Sequence, residues 1–256
     1  MSRLENKVAL ITGATGGIGE ATAKRFLDEG ARVMLVGRSQ EKLNETMERL
    51  GNSANAAISV GDAADEAATK AAIENCVAKF GGLDIVFANA GTEGDMKPAT
   101  ELTVDEFQSV LSTNVIGVWL TIKHSVDALR ARGSGSIIAT SSVAGTIGFP
   151  NMSPYVASKH AVCGMVKTFA LELGPSKIRV NAVAPGPIDN RMMGSVGDQL
   201  GGEGAAQVRA QIEGAVALGR YGTNEEVANL TLFLASDEAS YCTGGYYLVD
   251  GGYVAA

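Results

Sequence analysis

The chain has 256 residues, of which 46% are hydrophobic and 19% charged, enough apolar material for a substantial buried core. Its formal net charge is -7, and the acidic residues are spread along the chain, which argues against a nucleic-acid partner because such proteins present a basic face. With two histidines and three widely spaced cysteines, we do not expect a metal site built from these ligands. A small and odd number of cysteines is typical of proteins in a reducing cytoplasm.

The N-terminal region does not have the pattern of a secretory signal. Its apolar run, residues 7–12, is short and leads directly into glycines. No stretch approaches the roughly eighteen uninterrupted apolar residues that a membrane span needs. We therefore expect a soluble cytoplasmic protein that has no membrane partner.

Seven short apolar runs, each followed by a longer segment of helical character, predict alternating strands and helices. Several runs are apolar on both faces, as in a parallel sheet covered by helices on both sides. No linker or repeat interrupts the alternation, so residues 1–256 are expected to form one α/β domain with a doubly wound (Rossmann) seven-stranded parallel sheet. The predicted strands are 7–12, 32–37, 55–60, 83–89, 135–142, 178–184 and 246–250.

Helix starts are marked by three local patterns. Thr103 with Glu106, and Thr223 with Glu226, have the spacing of a capping box. Ser153 followed by Pro154 predicts an N-cap serine with proline at the first helical position.

Residues 186–222 break the regular alternation. The segment is rich in glycine, contains adjacent methionines at 192 and 193, and shows only weak helical patterning. It is too long for a simple connection, and long insertions of this kind are often binding loops. We expect it to form a lid over a substrate.

A glycine-rich turn, TGATGGIG at residues 12–19, directly follows the first predicted strand. Glycines at 13, 17 and 19 permit a tight turn, a close approach of backbone N–H groups to a pyrophosphate, and a helix start facing that charge. The spacing is G-x-x-x-G-x-G, and such a turn alone is also compatible with a purely structural role. Its place at the first strand-to-helix junction favours a dinucleotide site.

The end of the second strand indicates which dinucleotide binds. NAD sites usually carry an acidic residue there, whereas this chain has Gly37 followed by Arg38. A guanidinium suits a 2′-phosphate, so we expect NADP(H) to be preferred over NAD(H), unless Arg38 is only a solvated surface charge. Asp62 is expected either to bind the adenine amino group or to cap the next helix.

Tyr155 and Lys159 are four residues apart on a predicted helix and therefore share a face. A cation about 4 Å from a phenol is worth roughly 4 kcal/mol at an effective dielectric of about 20, which would bring its pKa of ~10 toward neutrality. General acid–base catalysis needs such a group. Ser142, at the end of the fifth strand, is placed to hold a substrate oxygen. Taken alone, the pair is more typical of a lysine lying over a ring.

The motifs taken together resemble those of the classical short-chain dehydrogenase/reductase family over essentially the whole chain. The matching features are TGATGGIG, Asn-Ala-Gly at 89–91, Asn114, Ser142, Tyr155-x-x-x-Lys159, Pro-Gly at 185–186 and Val-Asp-Gly-Gly at 249–252. This chain departs from the pattern at Ala88, where a second asparagine is common, and at Asn190, where threonine is common.

The resemblance implies a role for each matching residue. It makes Tyr155 the general acid in ketone reduction, Ser142 the donor to the developing oxyanion, and Lys159 the group that tunes the phenol and binds the nicotinamide ribose. It gives Asn114 a water that relays protons. The cofactor-binding residues expected from motif and resemblance are Gly13, Thr15, Gly17, Ile18, Gly19, Arg38, Asp62, Asn89, Ala90, Gly91, Tyr155, Lys159, Pro185, Gly186 and Ile188.

The predicted substrate wall is apolar and contains no arginine or lysine cluster, which favours a small ketone or secondary alcohol. Its members are Ala144, Ile147, Phe149, Met152, Met192 and Met193. An alternative is a reductase of 3-oxoacyl thioesters on acyl carrier protein, which would need a basic patch; Arg130, Arg132 and Arg191 are its candidates.

A second alternative, from another class, is a nicotinamide-binding sensor without turnover. Retention of Tyr155, Lys159 and Ser142 argues against it. The apolar C-terminal segment and the long predicted helix 153–174, together with the resemblance, predict a homotetramer. The other interpretation of the C-terminal segment is an edge strand of the sheet.

Overall fold

A computed structural model describes residues 2–255, which form a seven-stranded sheet in which every neighbouring pair is parallel. The strand order is β3-β2-β1-β4-β5-β6-β7. The predicted doubly wound sheet is therefore confirmed. The strands are β1 (Val8–Thr12), β2 (Arg32–Gly37), β3 (Ala56–Val60), β4 (Ile85–Ala88), β5 (Gly135–Thr140), β6 (Ile178–Pro185) and β7 (Tyr246–Val249).

Helices cover both faces of the sheet because its inner strands are apolar on both sides. In β1, Val8 and Leu10 pack toward the helices at 66–80, 117–131 and 153–173, whereas Ala9 and Ile11 pack toward those at 17–28, 40–49 and 224–235. The helices are α1 (Gly17–Asp28), α2 (Gln40–Arg49), α3 (Glu66–Phe80), α4 (Val104–Leu111), α5 (Gly117–Ala131), α6 (Ser153–Leu173), α7 (Arg191–Gly201), α8 (Ala205–Ala215) and α9 (Asn224–Ala235).

Both predicted capping boxes are present, at the starts of α4 and α9. The prediction that Ser153 is an N-cap is wrong. Met152 is the N-cap, with φ of -122°, ψ of 30° and no side-chain cap, and Ser153 is already helical. The helix begins one residue earlier than expected because Pro154 fits anywhere in a first turn, where its missing N–H has no helical partner to lose.

The segment 186–222 is more helical than its sequence pattern predicts. It contains α7 and α8, joined through a short 3₁₀ turn at Gly202–Gly204. Asn190 caps α7 by accepting hydrogen bonds from the N–H groups of Met192 and Met193, at 3.0 and 3.3 Å. The cap and the packing of α7 on α8 offset the roughly 1 kcal/mol that each helical glycine costs.

The strand order reverses between β1 and β4. From β1 the chain winds outward through β2 and β3, and then returns to build β4 on the other side of β1. This divergence leaves a crevice at the carboxyl ends of the strands, which is where open α/β sheets bind ligands. Within residues 2–255, none of the helices combines the length and apolar character that crossing a bilayer requires.

Candidate active site

A cavity of about 1060 Å³ opens at the carboxyl ends of β1, β2, β4, β5 and β6. All but two of the predicted site residues line it; Gly19 and Asn114 do not. The predicted residues on its wall are Gly13, Thr15, Gly17, Ile18, Arg38, Asp62, Asn89, Ala90, Gly91, Ser142, Tyr155, Lys159, Pro185, Gly186 and Ile188. Sequence patterns from opposite ends of the chain therefore meet at one site.

Three of the four glycines in the first turn are required, each for a different reason. Gly13 has a φ of +63°, and a Cβ there would lie 2.8 Å from the Cα of Ala90. At Gly17 a Cβ would lie 2.7 Å from the side chain of Asn224, at the start of α9. Gly19 lies beneath the turn, where a side chain would collide with the Gly13 carbonyl. Gly19 therefore allows the turn to pack closely and does not line the cavity.

The turn fits a pyrophosphate. Gly16 is the N-cap of α1 and offers no side-chain cap, so the first N–H groups of the helix keep their capacity to bind an anion. Glycines leave this backbone uncovered toward the cavity, and the cavity has room for a dinucleotide together with a small substrate.

Asn89 ties three strand ends together beside this turn. Its side-chain amide donates to the carbonyls of Thr12 and Gly13, at 3.3 and 3.2 Å, and its oxygen accepts from the Thr140 hydroxyl at 2.9 Å. Its own N–H donates to the Thr12 hydroxyl at 3.0 Å. The ends of β1, β4 and β5 are thus fixed by one side chain.

The end of β2 exposes a cationic corner of the cavity. The Arg38 side chain is 79% exposed, and its nearest guanidinium nitrogen lies 4.0 Å from a carboxylate oxygen of Asp62. Lys42, on α2, lines the same corner and was not singled out in the sequence. Asp62 accepts from the N–H of Ala64, while Asp65 caps α3, so the alternative in which Asp62 caps that helix is wrong.

Tyr155 and Lys159 lie on one face of α6, as predicted. Both side chains are buried, and the Lys159 nitrogen lies 5.5 Å from the centre of the Tyr155 ring. The ammonium donates to the carbonyl of Thr140 at 2.8 Å. Gly91 faces this group, since a Cβ there would lie 3.6 Å from the Lys159 nitrogen.

Burial dominates the ionisation of both groups. It raises the pKa of Tyr155, with the Ser142 hydroxyl acting in the opposite direction and the charge of Glu93 raising it further. Burial lowers the pKa of Lys159 to about 8. Lys159 is not among the groups that raise or lower the pKa of Tyr155, so the expectation that it brings this pKa toward neutrality stays a prediction.

Ser142 sits in a sharp turn just beyond β5. Its hydroxyl accepts from the N–H of Ala144 at 3.2 Å and lies 3.5 Å from the carbonyl of Pro185. The Tyr246 hydroxyl, from β7, donates to the Ser142 carbonyl. The serine is therefore held from both β6 and β7, and Tyr246 is a supporting residue that sequence patterns did not reveal.

Asn114 lies behind the cavity wall, in a π-helical turn at Ser112–Ile116 that separates α4 from α5. Its amide donates to the carbonyl of Thr92 at 2.9 Å and to the Ser158 hydroxyl at 3.0 Å, and its oxygen accepts from the N–H of Thr92 at 2.8 Å. Ser158 in turn donates to the carbonyl of Tyr155 at 2.7 Å. Both N–H groups of the Asn114 amide are thus engaged by protein.

The substrate end of the cavity is largely apolar. Ala144, Phe149, Met152, Met192 and Met193 line it as predicted, whereas Ile147 does not. Further apolar residues come from α7, α8 and the C-terminal segment, whose Tyr253 stacks on Phe149 at 6.3 Å between ring centres. These further residues are Val196, Leu200, Val208, Ile212 and Tyr253.

A charged pair also lies on this wall, where no cluster of arginine or lysine was expected. Arg191 forms two hydrogen bonds with Glu93, at 2.8 and 3.1 Å. Arg132 instead pairs with Asp84, and Arg130 contacts Ser176, at the amino-terminal edge of the sheet. The three arginines proposed as a carrier-binding patch are therefore not grouped.

Among residues 2–255, no group of three or more histidine, cysteine, aspartate or glutamate side chains is arranged to hold a metal ion. The chemistry that the site offers comes from hydroxyls, one buried ammonium and the backbone around the glycine turn.

Comparison with known proteins places this chain in a family. A sequence model described as enoyl-(acyl carrier protein) reductase matches residues 13–254. Cyclohexanol dehydrogenase of Acinetobacter sp. is 37% identical over 253 residues, covering 98% of this chain and 96% of that protein. The 3-oxoacyl-[acyl-carrier-protein] reductase of Thermotoga maritima is 39% identical over 253 residues, covering 98% and 99%. The crystal structure of levodione reductase, 37% identical, matches with a TM-score of 0.96 over 99% of this chain and 100% of that one.

The chain belongs to the classical short-chain dehydrogenase/reductase family. It is an oxidoreductase fold of the kind that uses a nicotinamide cofactor, and its relatives include dehydrogenases and reductases of alcohols and ketones.

Proposed function

We propose that this protein is an NADP(H)-dependent oxidoreductase that interconverts an apolar ketone and its secondary alcohol. One observation carries the proposal: Ser142, Tyr155 and Lys159 line the same cavity, and the glycine turn lines its other end. Residues 1–256 would then act as one dinucleotide-binding and catalytic domain, with residues 186–222 as its lid.

A bound nicotinamide supplies the hydride for reduction and accepts it in oxidation. The Ser142 hydroxyl donates a hydrogen bond to the substrate oxygen, and the Tyr155 hydroxyl delivers the proton that this oxygen needs. The Lys159 ammonium stabilises the phenolate that Tyr155 becomes. Asn114 links α6 to the loop after β4 through its hydrogen bonds to Ser158 and Thr92. In this proposal it also holds the water that relays protons to Tyr155.

The preference for NADP(H) rests on the corner formed by Arg38 and Lys42. Two cations stand at the end of β2 with no carboxylate in the position that NAD sites use for the ribose hydroxyl. The salt bridge with Asp62 is long and exposed, so it costs little to exchange for a phosphate. A 2′-phosphate would gain charge-assisted hydrogen bonds there.

The apolar substrate end supports a small cyclic or aliphatic ketone. Flexible methionines at 152, 192 and 193 would adapt to different shapes. One similar protein is named for cyclohexanol, a cyclic secondary alcohol, which fits such a wall.

Reduction of 3-oxoacyl thioesters on acyl carrier protein is the second candidate. The description of the matching family and the 39% identity to the Thermotoga maritima reductase favour it. The separation of Arg130 and Arg132 from Arg191 weighs against it, because an acidic carrier would need a basic surface at the site mouth. A sensor without turnover has less support, since Ser142, Tyr155 and Lys159 are all present and line one cavity.

The deciding experiment measures oxidation of NADPH, and separately of NADH, with a panel of apolar ketones and with an acetoacetyl thioester. Ketone-dependent oxidation faster with NADPH is the expected result. Turnover of the thioester alone would replace the first proposal by the second. No turnover of any compound, with tight NADPH binding, would favour the sensor.

We further propose a cytoplasmic homotetramer. Leu171 on α6 is 82% exposed and Leu248 on the edge strand β7 is 43% exposed, so both offer apolar surface to another copy. Light scattering at micromolar concentration tests this: four times the chain mass is expected, and the mass of one chain would contradict it.

A further inference from the structure

The pair formed by Glu93 and Arg191 joins two parts of the substrate end of the cavity. Glu93 belongs to the loop after β4, and Arg191 is the first residue of α7. The two terminal guanidinium nitrogens donate to the two carboxylate oxygens, at 2.8 and 3.1 Å, the geometry of a bidentate pair. Both residues line the cavity.

The carboxylate is the fixed member of this pair. The side chain of Glu93 is only 7% exposed, whereas that of Arg191 is 73% exposed. The preceding residue, Thr92, is held on both sides of its backbone by the amide of Asn114. Burial acts to raise the pKa of Glu93, but Arg191, the backbone and the Ser195 hydroxyl together hold it below its usual value. Glu93 therefore remains ionised.

Arg191 is the cation that a charged substrate would meet. Of the other cationic side chains on the described cavity wall, Lys159 lies beside Tyr155, and Arg38 and Lys42 lie at the end of β2. Arg191 is the cation that could bind a substrate carboxylate, but both terminal nitrogens of Arg191 are already hydrogen-bonded to Glu93. The charge of Glu93, whose side chain is 7% exposed, would also repel the incoming anion.

We propose that Glu93 is a specificity-determining residue that excludes carboxylate-bearing substrates by neutralising Arg191. The paired side chains carry no net charge, so the cavity still binds neutral ketones and alcohols. The inference rests on the proposed ketone and alcohol chemistry and deepens it, since it names the property of the substrate that the site rejects.

The test compares 4-oxocyclohexanecarboxylate with its methyl ester, which differ mainly in charge. For each protein variant, the ratio of kcat/KM for the acid to that for the ester is measured with NADPH. Glu93→Gln keeps the shape of the side chain and removes its charge. We expect this change to raise the ratio by about tenfold to a hundredfold, through KM, which corresponds to one charge-assisted hydrogen bond to the freed Arg191.

Three further variants make the interpretation specific. Arg191→Met leaves Glu93 unpaired and is expected to lower the ratio below that of the wild type. The double variant Glu93→Gln with Arg191→Met is expected to lose the gain, because no guanidinium remains to bind the acid. Gln199 is the matched control: it joins α7 to the same loop without charge, through Gly94 at 3.3 Å and Met96 at 3.0 Å. Gln199→Ala is expected to leave the ratio within about twofold of the wild type.

Equilibrium binding of both compounds to the NADP⁺-saturated protein separates this inference from the proposed function. If neither compound is reduced but the ratio of dissociation constants shifts as expected, the ketone chemistry is wrong and the role of Glu93 stands. If the ester is reduced but the ratio in Glu93→Gln stays within about twofold of the wild type, the role of Glu93 is wrong. If Glu93→Gln does not fold, Arg191→Met serves instead, and a ratio unchanged from the wild type in that variant overturns the inference. The inference is also overturned if the NADP⁺-saturated wild type binds neither compound.

Discussion

The Lys159 ammonium lies 5.5 Å from the centre of the Tyr155 ring, and both groups are buried. The lysine is held there by its hydrogen bond to the Thr140 carbonyl, at the end of β5. The end of β5 thus holds the ammonium of Lys159 beside the ring of Tyr155. The proposed catalysis by Tyr155 depends on this arrangement.

The first prediction concerns the pH dependence of the rate. Burial lowers the pKa of Lys159 from 10.5 to about 8, so the free protein loses this ammonium as the pH rises through about 8. We expect kcat/KM for NADPH, at saturating ketone, to fall across that range, because this parameter reports ionisations of the free protein. Lys167→Met, an exposed lysine of the same helix, should leave the profile unchanged.

Loss of stability would not explain such a fall. Between about 8 and 10.5 the unfolded chain keeps a proton on Lys159 that the folded protein has released. The unfolded state therefore binds more protons in this window, and the contribution of Lys159 to stability rises with pH. A flat profile between pH 7 and 10 would contradict the role given to the ammonium.

The second prediction concerns Arg38. Arg38→Ala should raise the KM for NADPH by about tenfold to a hundredfold, the value of one charge-assisted hydrogen bond, and change the KM for NADH by less than about threefold. Arg130→Ala, at the opposite edge of the sheet, is the control and should change neither value. Equal effects of Arg38→Ala on both cofactors would mean that Arg38 does not recognise the 2′-phosphate.

The third prediction concerns the strand ends tied by Asn89. Asn89→Ala removes three side-chain hydrogen bonds, to Thr12, Gly13 and Thr140, and is expected to lower the free energy of unfolding by roughly 1–3 kcal/mol. Urea unfolding with an unchanged m-value measures this. Asn75→Ala, which removes a single hydrogen bond to Ser59, should cost less. Equal losses in the two variants would show that Asn89 does not tie the strands as described.

Much of the fold was predictable because local patterns decide it. The seven apolar runs became the seven strands to within two residues at each end, since strands buried on both faces leave a continuous apolar signal. The capping boxes of α4 and α9 were equally local. The start of α6 was missed because Pro154 fits more than one position of a first turn. The helices α7 and α8 were missed because packing, rather than propensity, decides them.

The parts of the site that were predictable are those whose residues are close in sequence, such as the glycine turn and the pair Tyr155 and Lys159. The site was not predictable where residues distant in sequence meet. Glu93 and Arg191 are 98 residues apart and carry no shared pattern. Gly17, which was expected to bind the cofactor, also lies against the side chain of Asn224 at the start of α9, where a Cβ would collide with it. The ionisation of Tyr155 depends on burial, which a sequence spacing does not reveal.

The most direct test of the central claim is Tyr155→Phe, which removes the proton donor and keeps the ring over Lys159. Steady-state NADPH oxidation with the best ketone should fall by about a hundredfold to ten-thousandfold, the usual contribution of general acid–base catalysis. NADPH binding, followed by its fluorescence, should stay within about threefold of the wild type, because the rest of the cavity is unchanged. Retention of the wild-type rate with normal cofactor binding would contradict the assignment of Tyr155 as the general acid.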